Sequence, residues 1–107
     1  MRIHVIACGG AVMHNLTIAL SLAGHEVTGS DDEIYNPAKE KLEKYGLLPI
    51  AGWYPEKINE SLDLVIVGMH AKRDNAELSA ALELKLKVMS YPEFIAHHAR
   101  NKKRIVI

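Results

Sequence analysis

Three short segments of the sequence carry residue types suited to holding a phosphorylated ligand. In Ala7-Cys8-Gly9-Gly10-Ala11-Val12-Met13, two adjacent glycines stand between an apolar run and a helical pattern. Lacking side chains, Gly9 and Gly10 let the backbone approach a ligand closely, and the N–H groups of a helix start favour an anion such as pyrophosphate. Each such contact is worth roughly 0.3–1 kcal/mol when exposed, so several must act together. Gly29-Ser30-Asp31-Asp32 supplies acids, and Asp31 stands twenty-one positions after Gly10. That is the interval at which an acid meets the ribose or base of a nucleotide held at a first loop. Gly68-Met69-His70-Ala71-Lys72-Arg73-Asp74-Asn75 adds cations for phosphate in Lys72 and Arg73, together with His70 and Asn75.

Each segment also has a purely structural reading. The glycines could serve a tight turn, Asp31 could cap a turn, and Lys72 and Arg73 could be a solvated surface. Short motifs taken singly have many false positives, and it is their joint position that favours nucleotide binding. A dinucleotide fingerprint G-x-G-x-x-G aligned on Gly9 would need glycines where Ala7 and Val12 stand, which weakens NAD or FAD as the nucleotide.

Other groups offer less. Cys8 lies near the anion loop, where a helix start lowers a thiol pKa, yet a lone Cys is more often a buried hydrophobe. His97 and His98 are adjacent, so on a helix they point in different directions, and no cluster completes a metal site. His4 alternates with apolar neighbours and reads as a satisfied structural residue. Trp53 and Tyr54, beside Pro55, read as local packing. No Ser–His–Asp or paired-carboxylate arrangement stands out, so no catalytic residue and no metal ligand is assigned.

The elements that must position these segments follow from periodicity. Ile3 to Ala7 is a short β-branched run stopped by Gly9-Gly10, a buried strand entering a turn. Val12, Leu16, Ala19, Leu20 and Ala23 recur at helical spacing, with Gly24 placed as a left-handed cap. His25 to Ser30 reads as a second strand. Ala38, Leu42 and Tyr45 mark a helix that begins near Pro37 and is closed by Gly46. Leu47 to Ile50 is expected to be a short third strand, with Pro49 suited to a sheet edge.

Leu62 to Gly68 is a continuous apolar run, as in a parallel strand buried on both faces. Asn75 suits the N-cap of a helix whose inward residues are Leu78, Ala81, Leu82 and Leu86. Lys87 to Ser90 reads as a strand, and Pro92 opens a last helix with Phe94 and Ile95. This alternation predicts an α/β, Rossmann-like open parallel sheet with helices on both faces. Such sheets bind ligands beyond the carboxyl ends of their strands, where the three segments converge.

The chain has 107 residues, 13 Lys+Arg, 13 Asp+Glu, six His, one Cys and 49% hydrophobic residues, within the range of one globular domain. Zero formal charge gives no overall reason to expect a nucleic-acid or membrane partner. No run approaches the roughly 18 apolar residues of a membrane span, and no signal-peptide core follows Met1. A reducing, cytoplasmic setting is the default expectation. After the basic run Arg100, Lys102, Lys103, Arg104, the stretch Ile105-Val106-Ile107 starts what reads as another strand, either a terminal edge strand or the opening of a second domain.

Together these segments make the chain resemble the N-terminal domain of the Mur ligase family, ATP-dependent enzymes that join amino acids to UDP-N-acetylmuramate in peptidoglycan synthesis. The resemblance rests on Cys8-Gly9-Gly10 with Met13, on His25-Glu26-Val27-Thr28-Gly29-Ser30-Asp31, on Asp74-Asn75-Ala76-Glu77-Leu78, and on Ser90-Tyr91-Pro92-Glu93. With Tyr35, Pro37, Gly68, Arg73 and Met89, it is similar to the murein-recycling branch, which attaches a tripeptide; the alanine-adding branch is its nearest relative.

The resemblance implies a uridine diphosphate site made by Gly9, Gly10, Ala11, Val12, Met13, Ser30, Asp31, Asp32, His70, Arg73 and Asn75. Gly9 and Gly10 would meet the diphosphate and Asp31 the uridine, with His70 to Asn75 closing the site. The family often has glycine at the positions of Ala7 and His14, commonly serines near Gly68 and Met69, and proline where Ala76 stands. It further implies that residues 1–103 form the UDP-sugar-binding domain and that 104–107 begin a central ATP-binding domain. By this resemblance the whole enzyme uses ATP and Mg²⁺ with central and C-terminal ligase domains in cis, and the 107 residues bind but do not catalyse. Two alternatives stand beside it: a nicotinamide-binding oxidoreductase domain and a non-catalytic nucleotide-sensing module.

Overall fold

The structure is a computed structural model and describes residues 1–32, 34–49, 51–68 and 75–101, the side chains of Ala11 and of residues 98–101 excepted. Strand β1 (Arg2–Ile6) leads to helix α1 (Ala11–Leu22), β2 (Glu26–Ser30) and α2 (Ala38–Lys44). A 3-10 turn (Pro55–Lys57) precedes β3 (Leu64–Val67), α3 (Ala76–Glu83), β4 (Val88–Ser90) and α4 (Tyr91–Asn101). All pairings between these strands are parallel, in the order β2-β1-β3-β4. This is the expected α/β architecture.

Alternation along the strands divides the core between two faces. Ile3 and Val5 of β1, with Leu64 and Ile66 of β3, pack with Met13, Ile18, Leu20, Leu42 and Phe94 from α1, α2 and α4. On the other face, Ile6 and Val65 pack with Ile58 and Ala81, flanked by Trp53, Leu62, Leu78 and Val88. Helices therefore cover both sides of the sheet. Because β2 and β3 flank β1 on opposite sides, the chain reverses direction across the sheet after β2, which makes the carboxyl end of β1 a switch point of strand order.

Helix ends are closed as the sequence suggests. Gly24 (φ 98°) and Gly46 (φ 71°) are left-handed, and the N–H groups of His25 and Leu47 donate back to the carbonyls of Leu20 and Leu42. The same closure removes the expected third strand: Leu47 ends α2, Pro49 has no N–H to give, and Leu47 to Pro49 is irregular. Ile50 lies outside the described residues, as do His70, Lys72, Arg73 and the stretch 102–107.

Two helix faces differ from expectation. In α1 the buried residues are Met13, His14, Thr17, Ile18 and Leu20, while Val12 is 49% exposed and Ala19 and Ala23 are exposed. The inward stripe includes two polar side chains that bond to their own helix. Thr17 Oγ1 donates to the Met13 carbonyl (2.7 Å), and His14 Nδ1–H donates to the Gly10 carbonyl (3.0 Å). In α3, Leu82 is 59% exposed, whereas Glu77, one turn before Ala81, is fully buried.

Candidate functional site

The parallel strands bring the first loop, the end of β2 and the start of α3 to one edge. Ala7, just past β1, is buried with φ 66°, a left-handed conformation that costs an L-residue roughly 1–2 kcal/mol. That turn aims two successive amides at one acceptor: Ala7 N–H and Cys8 N–H both donate to the Ser30 carbonyl, at 2.8 and 3.1 Å. The loop is thereby folded onto the end of β2.

Gly9 N–H then donates to Asp31 Oδ2 (2.9 Å), while Asp31 Oδ1 accepts from Asp32 N–H (2.8 Å). A Cβ on Gly9 would lie 2.8 Å from that same carboxylate oxygen and 2.8 Å from Ile34 Cγ1, so the position has no room for a side chain. The other side of the crevice is equally close-built: a Cβ on Gly68 would meet the Ala7 carbonyl oxygen at 3.0 Å and the Ala7 methyl at 3.1 Å.

Gly10 is the N-cap of α1 and offers no side chain to cap it, and no acid stands in the first turn. The amino end of α1 is thus free of side-chain competition for an anion. Within the set from Gly9 to Met13, the Val12 side chain is exposed and the Met13 side chain belongs to the core. Asp31 is half-buried, Ser30 fully buried and Asp32 exposed. Asn75 caps α3, its Oδ1 accepting from Glu77 N–H (2.9 Å) and Leu78 N–H (3.1 Å). His70 and Arg73 fall outside the described residues.

Cys8, at the centre of the loop, is buried, and burial first, then the charge of Asp31, pushes its thiol up to about 12. It is a packing residue rather than a nucleophile.

A polar cluster with no local sequence signature lies on the face of the sheet that α3 covers. His4, in register with Thr28 across the strands, places Nδ1 2.7 Å from Thr28 Oγ1 and donates from Nε2 to Glu77 Oε1 at 2.6 Å. Glu77 Oε2 accepts from Tyr54 N–H (2.7 Å), with the Ser30 hydroxyl close by. Lys57 Nζ donates to the Gly29 carbonyl (3.2 Å) and to Ser30 Oγ (3.3 Å). Burial alone would raise the Glu77 pKa, but the hydrogen bonds from His4, Ser30 and Tyr54, with the charge of His4, outweigh it and hold the carboxyl below its ordinary value. The structural reading of His4 is thus correct. The inward face of residue 77, one turn before Ala81, is legible from spacing; its pairing with His4 is not.

A slot of about 310 Å³ is lined by Ile34, Lys39, Leu48, Pro49 and Ala51; Ile34 is the residue that abuts Gly9. A larger groove of about 410 Å³ runs along β2, past Arg2, Val27, Leu47 and Leu62. Neither hollow is lined by Gly9, Gly10 or Asp31. Among the described residues no group of three or more His, Cys, Asp or Glu could hold a metal ion, and no helix is long and apolar enough to cross a membrane.

Comparison with known proteins agrees with this geometry. A family model described as "Mur ligase family, catalytic domain" matches residues 2–103. The UDP-N-acetylmuramate–L-alanyl-gamma-D-glutamyl-meso-2,6-diaminoheptandioate ligase of Escherichia coli (strain K12) is 38% identical over 89% of this chain and 21% of its own length. The UDP-N-acetylmuramate–L-alanine ligase of Syntrophomonas wolfei is 30% identical over 98% of the chain and 22% of its own length. The chain thus spans about a fifth of the length of these curated relatives.

Among solved structures, the corresponding diaminopimelate ligase of Neisseria meningitidis superposes with a TM-score of 0.78 at 32% identity, covering 90% of this chain and 30% of that one. The UDP-N-acetylmuramate-alanine ligase of Thermotoga maritima gives a TM-score of 0.85 over 97% of this chain and 24% of that one, and at 22% identity shows the shared fold. By sequence along nearly all its length and by the architecture of its sheet, the chain belongs to the Mur ligase family.

Proposed function

We propose that this chain is the substrate-binding domain of an ATP-dependent ligase that forms an amide bond on UDP-N-acetylmuramate, and that it grips the uridine diphosphate end. One observation carries the reading: the Gly9–Asp31 hydrogen bond joins the glycine loop to the end of β2, directly beside the uncapped amino end of α1. The diphosphate lies against the backbone of Gly9 and the N–H groups of Gly10 to Met13, with Gly10 leaving the approach open; for Met13 only the backbone takes part. The uridine lies toward Ser30, Asp31 and Asp32, where each Asp31 oxygen keeps lone-pair capacity beyond its present bond. Asn75, with His70 and Arg73, closes the site over the phosphates.

The domain extends over residues 1–103, and 104–107 lead into a central ATP-binding domain that acts in cis with a C-terminal one. On this reading ATP and Mg²⁺ are held by those parts. This domain's task is binding and orientation, and no catalytic residue is assigned to it. The added group on this reading is L-alanine or a murein tripeptide, a choice supported by the names of the relatives, and a cytoplasmic location goes with a nucleotide-linked substrate.

Titration with UDP-N-acetylmuramate, followed by amide resonances, should perturb Gly9, Gly10 and Asp31 first. A response to NAD and none to the UDP-sugar would sink the proposal in favour of a nicotinamide-binding domain.

A further inference from the structure

The amino end of α3 is fastened to the sheet by one buried acid. Backbone and side chain of Glu77 are held from opposite directions: its N–H donates to Asn75 Oδ1, and its carboxylate collects donors from His4 on β1 and the Tyr54 amide. Apolar packing does not call for such a residue, because a leucine at this inward position would satisfy the same face without the cost of burying a charge. What an acid adds is direction. Two carboxylate oxygens with fixed donors set where the first turn of α3 sits relative to the ends of β1 and β2.

We infer that Glu77 is a positioning residue of the nucleotide edge, acting through the first turn of α3 and Asn75 on one side and through His4 of β1 on the other. The inference rests on the proposed binding of a uridine diphosphate at that edge. The donors take one oxygen each: His4 Nε2, whose ring lies 2.7 Å from Thr28 Oγ1 at Nδ1, reaches Oε1, and Tyr54 N–H reaches Oε2. A glutamine at position 77 has one acceptor oxygen where the carboxylate has two, so it cannot accept from both His4 Nε2–H and Tyr54 N–H.

The test compares the intact wild-type protein with its Glu77→Gln variant, using UDP as the probe. UDP affinity is measured by calorimetry, and local opening by hydrogen exchange of the peptides that contain Tyr54, Glu77–Leu78 and β1. Wild-type binding, an affinity loss of about tenfold in the variant, and faster exchange at Tyr54 and Glu77–Leu78 with β1 still protected would support the inference. An exchange increase with affinity unchanged would make Glu77 a core residue only and overturn it. Should Glu77→Gln fail to fold, Thr28→Val decides: this exposed substitution removes only the far partner of His4, and unchanged UDP affinity would overturn the inference. A wild-type protein that binds neither UDP nor its muramate sugar overturns the proposed function itself, whereas equal binding by wild type and variants overturns only the role of Glu77.

Discussion

Gly9 is tightly constrained, because its backbone donor is engaged by Asp31 and a side chain has no space there. Gly9→Ala sets a methyl 2.8 Å from both Asp31 Oδ2 and Ile34 Cγ1; overpacking of this kind costs about 1–3 kcal/mol. It should also lower UDP affinity more than stability alone explains, as denaturant unfolding and calorimetry on the same variant would show. Glu77 gives the acid limb of the pH–stability curve a definite sign. Its folded pKa lies below the ordinary 4.5, so its contribution is full above the unfolded value and is lost as pH falls below about 4.5 through the folded one. Urea titrations between pH 5 and 3, run on wild type and Glu77→Gln, should converge toward acid. Cys8 acts at the other end: a thiol pushed up to about 12 keeps the folded state favoured below pH 9 and withdraws that preference as pH rises from 9 to 12. At pH 8 a thiol reagent should modify native Cys8 only as fast as the chain opens. At this scale the sequence makes the loop glycines and Asp31 legible, because their types and interval have a physical purpose. Glu77 and Lys57 were not singled out, because buried partnerships between distant residues leave no periodic signal.

Elements were easiest to read where local chemistry and packing agree. Asn75 as an N-cap, Gly24 and Gly46 as left-handed caps, and the apolar run of β3 all emerge from sequence because each needs only its neighbours. The inward face of α1 differs from the apolar pattern because His14 and Thr17, polar by type, are buried there, Thr17 Oγ1 and His14 Nδ1 bonding to backbone carbonyls of the same segment. The expected strand at 47–50 gave way because Leu47 completes the closure of α2. Lys85 offers a test of these closures. It follows α3 at φ 58°, and the neighbouring amides of Lys85 and Leu86 donate back to Leu82 and Ala81, the place where glycine is favoured. Lys85→Gly should stabilise the protein by about 0.5 kcal/mol, the relief of left-handed strain exceeding the added chain entropy. A differential denaturation midpoint would register it, and a loss of stability would contradict the assigned closure.

At the level of the molecule, the sheet order β2-β1-β3-β4 puts the ligand edge at one end and leaves the two apolar faces to hold the fold. Binding at that edge should therefore stabilise the whole cooperative unit. At a UDP-N-acetylmuramate concentration of 100 times Kd, linkage gives about 2.7 kcal/mol, and each kcal/mol raises Tm by roughly 4–8 °C for a unit near this size. Thermal unfolding with the UDP-sugar should show that rise, and NAD at equal concentration should not. The hydrogen bond from Gly9 to Asp31, with the paired amides of Ala7 and Cys8 on Ser30, ties the first loop to the end of β2 through the chain's own bonds. In kinetic terms, a diphosphate bound there as proposed would meet a surface that these bonds already hold in shape, and its association phase should rise linearly with ligand concentration without saturating.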